Sequence, residues 1–201
     1  YVEVKLGSPD CLSLTEVEVF GYQIAPPASN LALGEGASAS QSTTCHGGVA
    51  NRAIDGNTNG QWGGNSVQHT CSGQSDPAWW MVDLGSNEHV IKSVALHNRR
   101  DCCMDRNNNS EIQILDDSRN IIATQTIEAG DVQSVYNLSF NNVQGRYVRV
   151  QKKTAAGVLN IAEVKAMGWI LRNGQLTQPS SNLARKAGTV ASQSTTCWNG
   201  A

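Results

Sequence analysis

Nine consecutive residues, Asn98-Arg99-Arg100-Asp101-Cys102-Cys103-Met104-Asp105-Arg106, hold the chain's most concentrated set of reactive and hydrogen-bonding side chains. Arg99 and Arg106 each present a planar fork of N–H donors, and Asp101 can orient one fork or neutralise it. Adjacent cysteines are unusual. Disulfide-bonded cysteines normally place their Cα atoms about 4.4–6.8 Å apart, whereas sequence neighbours lie about 3.8 Å apart. A Cys102–Cys103 bond would therefore close a small strained ring, fix the loop backbone and present a flat apolar sulfur surface beside two arginines. The alternative is that each cysteine pairs with a distant partner, among the 15 connectivities open to six cysteines. Both readings stand on the residues alone. Loop arginines beside an aspartate are most often a solvated, salt-bridged surface. What favours a site is their crowding around a dithiol, together with a histidine from another loop.

His69, in Ser66-Val67-Gln68-His69-Thr70-Cys71, is that histidine. His89, at a strand start, and His97, inside a strand, read as structural. Cys45-His46 and His69-Thr70-Cys71 could be taken as a two-Cys, two-His zinc set, but they lack paired Cys-x-x-Cys spacing, and oxidised thiols cannot ligate zinc. A Cys45–Cys71 disulfide is the better use of those thiols. Arg52-Ala53-Ile54-Asp55-Gly56-Asn57-Thr58-Asn59-Gly60 is rich in turn formers and oxygen donors. It reads either as plain turns or as a calcium loop in which Asp55, Asn57 and backbone carbonyls supply hard ligands. It is not an EF-hand, because no twelve-residue loop closed by glutamate is present.

The elements that must position these residues are short β-strands. Trp79 to Leu84, Val90 to Leu96, Glu111 to Leu115, Ile121 to Ile127 and Tyr147 to Val150 are β-rich runs between turn signals, and no segment sustains a helical period. Val148 and Val150 share one face of their strand, Tyr147 and Arg149 the other. The expected fold is all-β, a sandwich with long functional loops at one end. A formal net charge of −2 without a basic block argues against a nucleic-acid partner. No apolar run is long enough to span a bilayer, so membrane insertion is not expected. Six cysteines, 19 glycines and sequons at Asn108 and Asn137 point to a secreted, disulfide-bearing protein. The chain opens in mid-strand at Tyr1-Val2-Glu3-Val4-Lys5, which puts any export signal upstream of it.

The chain also repeats itself. NLALGEGASASQSTTC, from Asn30 to Cys45, returns as NLARKAGTVASQSTTC, from Asn182 to Cys197, at an offset of 152 residues and without a gap. Tyr147 to Val150 followed by Ala162 to Gly168 likewise echoes Tyr1 to Val4 followed by Thr15 to Gly21. The expected map is a preceding repeat's tail at 1–24, a linker at 25–29, one complete domain at 30–169, a second linker at 170–181 and a following repeat's head at 182–201. Cys11 and Cys197 are left over and could pair with each other.

Ala53-Ile54-Asp55-Gly56-Asn57, His69-Thr70, Pro77 to Leu84, Arg99-x-Asp101-Cys102-Cys103-x-x-Arg106 and Glu163-Val164 together resemble the F-type lectin (fucolectin) family over residues 30–169. The resemblance implies a jelly-roll β-sandwich that binds terminal L-fucose. His69, Arg99 and Arg106 would hydrogen-bond sugar hydroxyls and the ring oxygen, and Asp101 would balance their charge. A Cys102–Cys103 bridge would pack on an apolar ring face, and Trp62 would lie against the fucose methyl. A structural calcium ion would be held by the carbonyls of Arg52 and Ser66 and by Asp55, Asn57 and Glu163. The implied partners are fucosylated glycans of glycoproteins or cell surfaces, bound multivalently through tandem repeats or a homo-oligomer.

Three departures qualify the transfer. The 29 residues between His69 and Arg99 exceed the family's usual number, with the excess placed in Cys71 to Ala78, where it would reshape the rim. His46, in a loop that sets specificity in the family, becomes Trp198 in the next copy. A glycan on Asn108 would crowd the pocket. Two other functions compete. A discoidin-like module binding membrane or protein would expose apolar spikes and have no use for the arginine–cysteine cluster. A glycosidase needs two carboxylates flanking the bond, and only Asp101 and Asp105 lie nearby, so catalysis is not expected.

Overall fold

Alternating apolar residues in short β-branched runs build two antiparallel sheets that bury their inner faces against each other. The computed structural model describes residues 28–86 and 89–171, together with 3, 4, 14, 15 and 17. Internal contacts divide the chain into Ala25–Gly174, which carries the sheets, and a second unit of Tyr1–Ile24 with Gln175–Ala201. Most of the second unit lies outside the described residues, and with it the expected neighbour fragments, Cys11, Cys197 and Trp198.

The strands are β1 (Ser29–Asn30), β2 (Ser38–Gln41), β3 (Trp79–Asp83), β4 (His89–Asn98), β5 (Ser110–Leu115), β6 (Ile121–Ile127), β7 (Val135–Gly145), β8 (Tyr147–Lys152) and β9 (Ile161–Ile170). One sheet has the order β1-β9-β4-β7 and the other β2-β3-β8-β5-β6. The all-β sandwich expected from sequence is the observed class. β1 and β9 each reach one residue past the expected 30–169 boundaries, because Ser29 pairs with Gly168 and Ile170 with His89.

Register makes the core. In the five-stranded sheet Trp80 lies opposite Val150, which lies opposite Ile112; Val82, Val148 and Ile114 form the next row. In the other sheet Tyr136, Leu96 and Val164 line up across β7, β4 and β9. All nine are buried in one apolar cluster. Trp80 keeps its indole N–H satisfied by the Ala50 carbonyl at 3.0 Å, as a buried tryptophan requires. Val148 and Val150 face this core as expected. Tyr147, on the opposite face, is also buried, in a smaller cluster with Met81 and Leu115. The guanidinium groups of Arg146 and Arg119 cover its ring at 5.0 and 5.5 Å.

Loops from both sheets meet at one end. His69 N–H donates to the Gly48 carbonyl at 2.9 Å, Thr70 N–H to Leu159 at 3.0 Å and Arg100 N–H to Gly60 at 2.8 Å. These bonds tie the segments around residues 45–49, 60–70, 99–107 and 157–160 into one loop surface.

Candidate functional site

The nine-residue cluster begins where β4 ends. Asn98 is almost fully buried, and its side-chain amide donates to the carbonyls of Met104 at 2.8 Å and Gln133 at 2.9 Å. Its oxygen accepts from the Asn107 amide at 2.9 Å. Asn107 also donates to the Asn160 carbonyl at 2.9 Å and accepts the Asn160 N–H at 3.2 Å. The loop 99–106 is thereby closed at its base by two buried amides. A short 3-10 turn, Met104–Asn107, follows. Lys152, buried at the end of β8, donates to the carbonyls of Arg106, at 3.0 Å, and Asn108. Burial pushes the Lys152 amine down from its ordinary value, with Asp105 opposing.

On this base Cys102 and Cys103 form a disulfide across a Cα separation of 3.8 Å. Cys103 adopts a left-handed conformation, φ 58°, an uncommon state for a residue with a Cβ. Cys45 and Cys71 form a second disulfide, which removes the thiols a zinc site would need. Asp101 holds Arg99 bidentately, accepting from Nε at 2.6 Å and Nη2 at 3.3 Å. Its Oδ2 also accepts the Trp62 N–H at 3.0 Å. The Arg99 hydrogen bond is the chief reason the Asp101 carboxyl is held down to about 2. Asp101 therefore orients Arg99 and pins the Trp62 turn to the arginine loop. Gly60 allows that approach, since a Cβ there would sit 2.6 Å from the Asn98 carbonyl oxygen.

His69 completes the site from the opposite loop. Its Nδ1 lies 2.6 Å from the Thr70 carbonyl and must carry the proton, leaving Nε2 to accept from Arg106 Nη1 at 3.0 Å. Burial lowers the His69 pKa; Arg106, His46 and Arg99 add to the effect, and the Thr70 carbonyl opposes it. The ring is neutral near pH 7. Gly48 packs so close that a Cβ would lie 2.6 Å from His69 N. The Gln41 amide bridges the carbonyls of Thr43, at 2.8 Å, and Gly48, at 3.0 Å.

His46, Trp62 and His69 make mutual edge contacts with centroids 5.2–6.4 Å apart, and the Arg99 guanidinium lies 5.0 Å from the Trp62 ring centre. The result is a pocket of about 330 Å³ that brings together His46, Trp62, His69, Arg99, Cys102, Cys103 and Arg106, a size suited to a small ligand. Asp101 braces it from behind. Sequence reasoning missed Ser72 and Val158, which also line it, and the supports Gln41, Asn98, Asn107 and Lys152. Nothing in the local sequence marks the last three, since their burial is set by contacts between residues distant in the chain. Ser72 comes from the long Cys71 to Ala78 segment, whose Gln74 carbonyl accepts the Ala156 N–H at 3.0 Å.

The oxygen-rich loop lies beside this pocket. Asp55 Oδ1 accepts the Asn57 N–H at 2.8 Å, and Asn57 Oδ1 the Asn59 N–H at 3.0 Å. Ser66 Oγ donates to the Asn59 carbonyl, and the Arg52 guanidinium donates to Asn65 Oδ1 at 3.0 Å. Glu163, fully buried in β9, accepts the Gly56 N–H on Oε2 at 3.3 Å, but its Oε1 meets no donor. Burial pushes this carboxyl up to about 7. Among the described residues no three His, Cys, Asp or Glu side chains cluster as a metal site.

The fold and pocket define a loop-end ligand-binding β-sandwich, and comparisons with known proteins agree. A profile described as a NedA-like, galactose-binding domain matches residues 52–150. The lectin domain of lectinolysin, solved with Lewis B antigen, is 35% identical at a TM-score of 0.63, covering 71% of this chain and 97% of that one. A Streptococcus pneumoniae fucose binding module is 31% identical at 0.64, covering 70% and 95%. A fucolectin of Anguilla anguilla is 45% identical over 65 residues, 32% of this chain and 39% of the eel protein. This chain thus spans well under two thirds of that relative's length. It belongs to the F-type lectin (fucolectin) family.

The site predicts a pH signature. His69 and His97 both have folded pKa values below the ordinary 6.5, so at these two residues the native state binds fewer protons than the unfolded chain and their contribution to stability rises with pH, whereas Glu163, pushed up to about 7, contributes in the opposite sense. In a ¹H–¹⁵N imidazole titration, His69 should carry its proton on Nδ1 at pH 7 and titrate below 6.5. In a Glu163→Gln background, where the raised carboxyl no longer opposes the trend, stability to denaturant should fall as pH drops below that value. A His69 midpoint at or above 6.5 would refute the arrangement.

Proposed function

We propose that this chain is a non-catalytic, extracellular lectin that binds terminal L-fucose on fucosylated glycans of glycoproteins or cell surfaces. The observation that carries the reading is the 3.0 Å contact between Arg106 Nη1 and His69 Nε2 on the wall of a disulfide-lined pocket. One sugar hydroxyl placed between them accepts from the arginine and donates to the neutral histidine, using both its proton and its lone pairs. Arg99 spends Nε and Nη2 on Asp101 and keeps Nη1 for a second ligand oxygen. The Cys102–Cys103 sulfurs and the Trp62 ring supply apolar surface for the C–H face and methyl of a deoxy sugar. His46 and Ser72, which follow the two half-cystines of the Cys45–Cys71 bridge, bear on what is attached to that sugar. Names of similar proteins, fucolectin and fucose binding module, support the ligand class. A membrane- or protein-binding sandwich would have no use for two arginines converging on a vicinal disulfide.

A structural calcium ion belongs to this reading. Glu163 Oε1, buried and unpartnered, and Asp55 fit a hard cation. With Asn57 and the carbonyls of Arg52 and Ser66 they would hold the ion, which would supply positive charge and tie the loop bearing Trp62 to β9. Repeated domains would raise avidity for clustered glycans through effective concentration.

In a calorimetric titration the protein should bind L-fucose and not D-galactose. Arg106→Ala should lose about 1.5–3 kcal/mol, the range for a hydrogen bond to a charged group; unchanged affinity would sink the site assignment. Chelation of calcium should lower Tm, with recovery on re-addition, whereas Glu163→Gln should show no calcium-dependent shift; a wild-type Tm indifferent to calcium refutes the ion. A multi-domain form should agglutinate fucosylated cells, whereas a monomeric 30–169 unit should not. Equal agglutination by both would contradict avidity from repeats.

A further inference from the structure

The chain carries two N-x-Ser sequons, at Asn108 and Asn137, that sequence alone treats alike. The fold treats them oppositely. Asn108 is only 9% exposed, with its Oδ1 3.4 Å from the Tyr136 hydroxyl. Its carbonyl accepts from Ser110 Oγ, at 3.3 Å, and from Lys152 Nζ. Ser110, the hydroxyl residue of that sequon, is fully buried at the start of β5. An oligosaccharide attached here would have to pass through the packed base of the Arg106 loop. A chain that received one during synthesis could not complete that loop.

Asn137 is the reverse case. On β7, Tyr136 and Phe140 are buried and Leu138 packs against the core, while Asn137 and Ser139 point outward and are exposed. Among the described residues β7 is the edge of its sheet, pairing with β4, where Asn137 lies opposite Ala95. Its amide therefore lies on an outer face, at a boundary where a bulky polar group displaces no packed atom. β4 and β7 run together toward the pocket end, where His97 pairs with Val135. A glycan on Asn137 thus lies on the flank of the sandwich, outside the pocket walls.

We infer that Asn137 is the N-glycosylation site of this domain and that Asn108 is left unmodified in the folded protein. The inference rests on the extracellular reading above. In the transfer step the Asn137 amide nitrogen attacks the anomeric carbon of a polyprenyl-diphosphate-linked oligosaccharide. The N–C bond forms, the C–O bond to the diphosphate breaks, the polyprenyl diphosphate departs and the amide loses one proton. The attached glycan has a structural consequence. An exposed edge strand offers unpaired backbone groups to other chains; Gln125 already caps the Ser139 carbonyl at 3.1 Å, and a glycan two residues away would shield the rest of that edge.

The test is to secrete the chain from eukaryotic cells, pass it over immobilised fucose, and map glycopeptides before and after peptide N-glycosidase treatment in ¹⁸O water. The expected result is ¹⁸O-labelled Asp at position 137 and unlabelled Asn at 108. Asn137→Gln should abolish the glycosidase-sensitive mobility shift without altering fucose retention. Secreted, folded protein unmodified at Asn137, or modified at Asn108 while still retained on fucose, would overturn the inference. Modification at Asn137 in protein that fails to bind fucose would leave it standing and count against the lectin reading instead.

Discussion

Everything at the loop end depends on one buried amide. Asn98 closes the turn between β4 and β5 by donating to two carbonyls and accepting from Asn107, which in turn grips the chain at Asn160. Loop backbone that leaves a sheet loses its ladder partners and would have to reach water. Asn98 and Asn107 satisfy those groups internally, so the loop can be both irregular and rigid. Removing such a partner leaves buried polar groups unpaired, at a cost of about 1–3 kcal/mol each. Lys152 reinforces the closure from β8 with a buried charge directed at two more carbonyls.

Rigidity matters because the pocket holds two cations in different states of compensation. Arg99 is paired bidentately with Asp101, which fixes its plane and leaves little net charge. Arg106 meets a neutral imidazole instead. The combination suits an uncharged polar ligand. Charge-assisted donors strengthen each hydrogen bond, while the carboxylate and the neutral histidine prevent the pocket from becoming a general anion trap. The sulfurs of Cys102 and Cys103 and the edge-packed aromatic residues add apolar surface that a strongly hydrated charge would not use.

The carboxylate of Glu163 shows the same economy in another place. A fully buried acid with one unpartnered oxygen is costly in isolation, yet it sits where the oxygen-rich loop meets β9, beside Gly56 and Asp55. The loop's own side chains are occupied with its turns, as the Asp55-to-Asn57 and Asn57-to-Asn59 bonds show. That leaves backbone carbonyls and free carboxylate oxygens as the groups able to meet a cation.

Much was legible in the residues. Alternation and β-branching marked five strands close to their observed bounds, and the cluster from Arg99 to Arg106 announced itself by the rarity of adjacent cysteines between arginines. Strands β7 and β9 were not identified, because Asn141 and Asn142 interrupt one and Gly168 the other. Alternation places Tyr147 on the face of β8 opposite Val148 and Val150, yet it is buried too, because neighbouring strands bring Met81 and Leu115 against it. The pairing of Cys102 with Cys103 was open on geometry alone, and only the folded loop, with Cys103 in a left-handed conformation, settled it. The sequence by itself determined the fold class, the family and the residue types of the pocket, since these depend on local pattern and on side-chain chemistry. Tertiary structure alone decided which nitrogen of His69 faces Arg106, which amides close the loops and which sequon is buried, since each depends on contacts between residues distant in the chain.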